Sequence, residues 1–197
     1  LLALGQFGGG AAGPPQDHLA VLAFAADGSL LAGAGLDKIP VWELKHNKLV
    51  RTITTGGPLV LDIAFAPQDE LLAAGCDDGK IRVWNAETGE LLKVLAVDRS
   101  DRCNHVDFGP DGRLLAGIYS RQTGESDAGG VQEELRLWDL ARDEVARTLT
   151  DGENAKFVSS DFSPDGRTLA VGLVRRKEAN QTTSIRSWSS AENRWDP

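Results

Sequence analysis

The chain has 197 residues, 41% of them hydrophobic and 25% charged, with a formal net charge of -8. That is enough apolar material for a folded domain or part of a larger repeat array, and it excludes a disordered chain. The acidic balance argues against nucleic acid and against an anionic membrane surface, which are both met with excess Lys and Arg, and no stretch approaches the ~20 apolar residues of a membrane helix.

The first seventeen residues run LLALG and then the Gly/Pro-rich GQFGGGAAGPPQ. The opening has no basic flank and no cleavage-type pattern, so it does not read as a signal peptide. Its glycine run, Gly8 to Gly10, lacks a following Lys and a helix, so it reads as a flexible loop and not a phosphate cradle. Methionine is absent, position 1 included, which leads us to expect a chain that does not begin at a start codon.

From residue 18 onward a repeat sets in, and repeats dominate any fold reading. A phenylalanine followed by a turn recurs at Phe24 (FAADG), Phe65 (FAPQD), Phe108 (FGPDG) and Phe162 (FSPDG). After each turn comes a short apolar run: LLAGAG, LLAAGC, LLAGIY and TLAVGL. A tryptophan closes each unit, in IPVWEL, IRVWNA, LRLWDL and IRSWSS, at Trp42, Trp84, Trp138 and Trp188. Each Trp precedes the next landmark Phe by 23, 24 and 24 residues, whereas Phe to its own Trp takes 18, 19, 30 and 26. One arm of the repeat is therefore constant. The third and fourth copies carry about 11 and 7 extra residues, and both extensions lie between the LLAG-type run and the Trp run.

Each unit reads as four short strands, a to d. Strand a ends at the landmark Phe with period-2 alternation, as in Ile63 and Val106 two residues earlier. The Pro-Asp-Gly turn follows. Strand b is the LLAG-type run, whose small residues permit close backbone packing. Strand c alternates, as in Ile81 and Val83 or Leu135 and Leu137, and strand d is weaker. No amphipathic helix periodicity is sustained. The four Trp side chains are expected to pack between stacked units, since a large ring buries much apolar area and its N–H needs a partner.

These motifs resemble the WD40 family, over roughly residues 18–197. The resemblance implies an all-β fold of WD40-type β-propeller blades, four-stranded antiparallel sheets, here four blades of a larger or oligomer-completed propeller. The repeats fall at about 18–55, 56–97, 98–151 and 152–197, and 1–17 reads as the remnant of a preceding blade or as a loop. Four blades in an open arc would expose two faces, so either further sequence or a homodimer is expected to close the ring. The family's W-D dipeptide is literal only at Trp138-Asp139; its Asp of the b–c turn corresponds to Asp78; and its Gly-His dipeptide is missing from every copy. The family's Asp–His–Ser/Thr–Trp hydrogen-bond network is thus expected to be incomplete.

The resemblance also implies a non-catalytic scaffold that binds a protein or peptide. In such a propeller, b–c and d–a loops emerge on one rim, and both insertions are expected to be b–c loops. Long segments on a rigid frame are where recognition tends to sit. Arg175, Arg176 and Lys177 form the compact basic cluster of an acidic chain, and with Arg121 they are the expected contacts for acidic groups of a partner. The alternative is a propeller enzyme, or a small-ligand or metal binder, using the central channel. Against it, His18, His46 and His105 occupy unrelated repeat positions. A His105–Asp107 acid–base pair is geometrically possible on one strand face, yet Asp62 and Asp161 lie near that position in other repeats and read as structure. Asp77-Asp78-Gly79 lacks the rest of a calcium loop, and no zinc-type spacing occurs. No catalytic residue, metal or cofactor is expected. Cys76 and Cys103 are expected to be buried thiols in a reducing, cytoplasmic setting.

Overall fold

The computed structural model describes residues 21–68, 71–96, 101–123, 130–150, 155–177, 180–189 and 194–195. Side chains at 122–123, 130, 176–177, 180–181 and 194–195 are not described. Leu1 to Gly5, the Gly8–Gly10 run and His18 also lie outside the described residues.

Every described element is a strand. The first sheet holds β1 (Val21–Phe24), β2 (Leu30–Ala34), β3 (Lys38–Glu43) and β4 (Lys48–Thr54), and the second β5 (Val60–Phe65), β6 (Leu71–Cys76), β7 (Ile81–Asn85) and β8 (Leu91–Leu95). The third holds β9 (Arg102–Phe108), β10 (Leu114–Thr123), β11 (Gly130–Asp139) and β12 (Glu144–Leu149), and the fourth β13 (Ala155–Phe162), β14 (Thr168–Lys177), β15 (Asn180–Ser189) and β16 (Arg194–Trp195). Each sheet is an antiparallel meander in chain order. Each first strand ends at its landmark Phe, and Trp195 falls on the last outer strand.

The turn after that Phe is built the same way three times. Asp27, Asp111 and Asp165 each accept, on Oδ1, the amide two residues on, at 2.9, 3.0 and 3.0 Å. This is an Asx-turn, and the glycine between takes the positive φ (71°, 68° and 68°) that a Cβ would oppose.

The sheets, or blades, stack in chain order through their inner strands, with β5 against β1, β9 against β5 and β13 against β9. Three apolar layers lie between them. Ile39 and Val41 meet Ile63, Leu72 and Trp84 between blades 1 and 2. Ile81 and Val83 meet Val106, Leu115 and Trp138 between blades 2 and 3. Leu135 and Leu137 meet Phe157, Leu169 and Trp188 between blades 3 and 4. On strand c, therefore, the Trp faces the preceding blade and the aliphatic pair before it faces the next. Full burial of one such side chain stabilises by about 1.5–3 kcal/mol, so the layers between blades, more than any single sheet, hold the fold. All four Trp are buried, from 2 to 8% exposed. Small residues on strand b permit this stacking: a Cβ on Gly75 would lie 2.8 Å from the carbonyl oxygen of Cys103.

The two outer faces of the stack are open. Ile39, Ile81 and Leu135 are fully buried, but their counterpart Ile185 is 79% exposed. Ile63 and Val106 are buried, but their counterpart Leu22 is 60% exposed, and Phe24 is 64% exposed. Their apolar character matches the buried copies; what differs is that, among the described residues, no further blade packs on them.

Candidate protein-binding groove

The turns between second and third strands share one rim with the segments that lead from one blade to the next. The Thr55 amide donates to the Asp37 carbonyl, and the Asp77 amide to the Leu59 carbonyl. The Leu59 amide returns a bond to Asp77 Oδ1 at 2.9 Å. Gly79, at φ 75°, lies so close under Asp101 that a Cβ there would sit 1.9 Å from the Asp101 carbonyl oxygen.

On this rim the two insertions are not mainly loops. They lengthen hairpins. β10 and β11 pair from Leu114↔Asp139 to Thr123↔Gly130, and β14 and β15 from Thr168↔Ser189 to Lys177↔Asn180. Pairing satisfies backbone groups that a loop would leave to water, so the strands run on past the body of the blade.

The overhang of β10 and β11 above the start of β13 makes a groove of about 510 Å³, within the range of ligand-sized clefts. Arg102 and Asn104 line it from β9, Ser120 and Arg121 from β10, Val131 and Glu133 from β11, and Lys156 and Val158 from β13. Arg102 and Lys156 are exposed at its mouth. Val131, 52% exposed, supplies apolar surface, and Asn104 Nδ2 donates to Ser120 Oγ at 2.6 Å. Glu133 is 6% exposed; one carboxylate oxygen takes the Phe157 amide, while Oε2 has no hydrogen-bond partner among the described residues. Burial pushes the Glu133 carboxyl above its ordinary value, against a smaller downward pull from Lys156.

Of the four cations expected to serve a partner, Arg121 lines this groove, but its guanidinium is given to Gln132 Oε1 at 2.7 Å. It alternates with Ser120, so it shares the strand face of Tyr119, which packs toward blade 2. Arg175 pairs across from Ala155 on the face that carries Leu173 and Phe157, toward blade 3, and is half-buried with an interaction of its own. Arg176 and Lys177 are on β14, with side chains outside the described residues. Sequence reasoning missed Arg102, Lys156 and Glu133, which are far apart in the chain and meet only because blades 3 and 4 stack.

The opposite rim carries a second cleft of similar volume, lined by Arg113, Asp139, Arg142, Glu144 and Arg147. There the cations are answered. Asp139 takes Arg113 at 2.9 Å and lies 3.8 Å from Arg142, and Arg113 holds its carboxyl below the ordinary value. Asp139 also caps the next turn by accepting the Ala141 amide, as Asn85 accepts that of Thr88. In blades 2 and 3 the residue after the Trp is in this way a turn cap.

Asp78 likewise has a local partner: Arg82 clasps it with two bonds, at 3.1 and 2.7 Å. In blade 3 the arginine at the same position, Arg136, binds Asp101 at 3.0 Å and Glu134, and stacks on Tyr119 at 4.4 Å. Trp138 Nε1 donates to the Tyr119 hydroxyl at 3.0 Å. Arginine and tyrosine thus make polar ties where the family's own network is incomplete.

On the inner strands, His105 does not pair with Asp107. Its Nδ1 lies 2.7 Å from Asp62 Oδ2 on blade 2, and its Nε2 3.1 Å from the Ser160 carbonyl on blade 4. Both partners are acceptors, so the imidazolium, with a proton on each nitrogen, satisfies both. Burial, the largest single influence, pulls the His105 pKa down, but the bond to Asp62 and its charge, with Ser160 and Asp107, together outweigh it, and the net shift is upward. Burial raises Asp107 to about 6. His46 sits on the surface, 2.8 Å from Glu43. Cys76 and Cys103 are buried free thiols, and desolvation raises Cys76 to about 11. Among the described residues, no three His, Cys, Asp or Glu side chains gather in a way that could hold a metal ion.

Residues 47–85 match the model of the WD domain, G-beta repeat, which spans the last strand of one blade and the first three of the next. The chain carries WD40 repeats. Its similarity to WD repeat and SOCS box-containing protein 1 of Takifugu rubripes is 34% identity over 56% of this chain and 24% of that protein. To human apoptotic protease-activating factor 1 it is 31% identity over 68% of this chain and 9% of that protein. The match thus spans a quarter or less of these WD40 relatives. A solved structure titled Kuenenia stuttgartiensis Hydrazine Synthase superposes with a TM-score of 0.73 at 17% identity, over 89% of this chain and 52% of that one, which is a likeness of propeller fold alone.

Proposed function

We propose that this WD40 chain is a non-catalytic protein-interaction module that binds its partner on the rim bearing the long β10–β11 hairpin, in the groove between blades 3 and 4. The observation that carries this reading is the meeting of Arg102 and Lys156 beside exposed Val131, on a rigid frame, in a chain of net charge -8. Cations beside apolar surface suit an acidic protein segment, whose charge would be steered to this rim. WD40 proteins in general serve as interaction scaffolds, which agrees. The inner strands offer a poorer case for catalysis, because both nitrogens of His105 are already engaged.

A photo-crosslinking residue in place of Val131 tests this in cells that express the protein. Adducts should form from position 131, not from Leu92 on the outer strand, and should vanish when Arg102→Glu and Lys156→Glu are added. Equal adducts from both positions, or adducts indifferent to the charge reversals, remove the rim from consideration.

A further inference from the structure

We propose that the groove takes an extended acidic segment with apolar flanking side chains, and that its binding is coupled to the uptake of one proton by Glu133. This rests on the reading above that the rim is the binding face. Four features of the groove lead to it. Arg102 and Lys156 stand at the mouth on neighbouring blades, so a carboxylate between them meets both charges. Val131, half exposed on the β11 wall, suits an apolar side chain beside that carboxylate, as alternate residues of an extended segment provide. Glu133 lies in the same wall, nearly inaccessible, so water screens its charge poorly. Its Oε2 has no hydrogen-bond partner among the described residues, so a proton can reside there without displacing a bond seen in the structure.

An arriving carboxylate therefore meets two favourable charges and one unfavourable one. The charged groups around Glu133 are Arg102 on β9, Lys156 on β13 and, on the same sheet face as Phe157, Arg175 on β14, while Arg121 on β10 is turned to the other face and bound to Gln132. Its neighbour Glu134 is turned to the other strand face and bound by Arg136. A second anion disfavours the ionised form of the Glu133 carboxyl, which burial already disfavours. Ligand and proton therefore bind cooperatively. By linkage, affinity rises as pH falls, at most tenfold per pH unit for one proton.

The test uses tetramethylrhodamine-labelled peptides and the whole chain, read by fluorescence anisotropy between pH 8 and pH 5. One peptide alternates valine with cysteic acid, whose sulfonate stays ionised throughout, so that only the protein titrates. A second alternates valine with lysine. The sulfonate peptide should bind several-fold more tightly at pH 5.5 than at pH 8, and the lysine peptide more weakly than it at every pH. Glu133→Gln should bind the sulfonate peptide more tightly at pH 8 and flatten the pH dependence to under twofold. Lys156→Glu should weaken binding about tenfold. Binding that is lost in Lys156→Glu but remains pH-dependent in Glu133→Gln overturns the coupling and leaves the rim reading intact. Binding indifferent to Lys156→Glu places the ligand elsewhere and takes both down. Preference for the lysine peptide, or no binding of either at 1 mM, overturns the proposed ligand class. Tighter binding of a twelve-nucleotide single-stranded DNA than of the sulfonate peptide assigns the cations to phosphate and also overturns it.

Discussion

Tyr119→Phe isolates one polar tie inside the layer between blades 2 and 3. The Tyr119 ring is 1% exposed and Trp138 is 3% exposed, so neither can exchange its bond for one to bulk water. The hydroxyl receives the Trp138 N–H at 3.0 Å and is itself bonded to the buried Cys103 thiol. Phenylalanine keeps the ring, and with it the stack under Arg136 at 4.4 Å, but it leaves the indole N–H without an acceptor. An orphaned buried donor costs about 1–3 kcal/mol. For a domain of this size each kcal/mol lowers Tm by about 2–4 °C, so a fall of about 2–12 °C is expected. Urea unfolding at pH 7, followed by tryptophan fluorescence and far-UV circular dichroism, measures it. Adding Trp138→Phe should cost less in the Tyr119→Phe background than in the parent, because the donor is then already unpaired. A Tyr119→Phe variant within about 0.5 kcal/mol of the parent, with additive double-mutant behaviour, would refute the claim that this bond stands in for the missing family network.

The inner strands give stability a distinct pH profile. His105 has a folded pKa above its unfolded value, so its contribution is complete below about 6.5 and is lost as pH rises through the folded value. Asp107 is raised to about 6, so its contribution is lost as pH climbs from its ordinary value near 4 toward 6. Tm should therefore be higher at pH 5.5 than at pH 8, and Asp62→Asn should reduce that difference; a Tm that rises with pH over this range contradicts the pairing. Gly79→Ala should lose at least about 2 kcal/mol, since its Cβ meets the Asp101 carbonyl, whereas Gly28→Ala, in open space at φ 71°, should lose only the ~1–2 kcal/mol of the left-handed conformation; equal losses in chemical denaturation contradict the contact. Ile63→Ser should lose about 2–4 kcal/mol and Leu22→Ser, its exposed counterpart, under ~0.5 kcal/mol by the same assay. Both thiols should resist an aromatic disulfide reagent in the native state and react on unfolding; fast native labelling contradicts their burial.

What could be read from the sequence was whatever recurs with the repeat. The landmark Phe, the Asp-Gly turn and the Trp are local signals fixed by turn chemistry and period-2 patterning, and each marks the expected strand or turn. The insertions were harder, because a mixed polar stretch such as Arg121 to Gln132 has too little alternation to distinguish a loop from a lengthened hairpin. The groove was harder still. Arg175-Arg176-Lys177 drew attention as a run, yet a run on a strand splits between two faces, while Arg102 and Lys156 are single cations joined by blade stacking. The same holds for His105: its nearest acidic neighbour in sequence is Asp107, but its partner is Asp62, supplied by the adjacent blade.

That partnership reaches further than one ion pair. Inner strands of neighbouring blades exchange few bonds, yet Asp62, His105 and Ser160 join β5, β9 and β13 in one continuous line. On β1 the position of Asp62 and His105, three residues before the landmark Phe, carries Val21, with no polar side chain to extend the line. Three blades are stitched along this line, whereas the first is held to the second by the Val60 amide on the Leu36 carbonyl and by their shared apolar layer. Pulled from its ends or left to breathe in deuterated solvent, the molecule should part at the seam between β1 and β5, with blade 1 opening as a flap while the other three exchange as a unit.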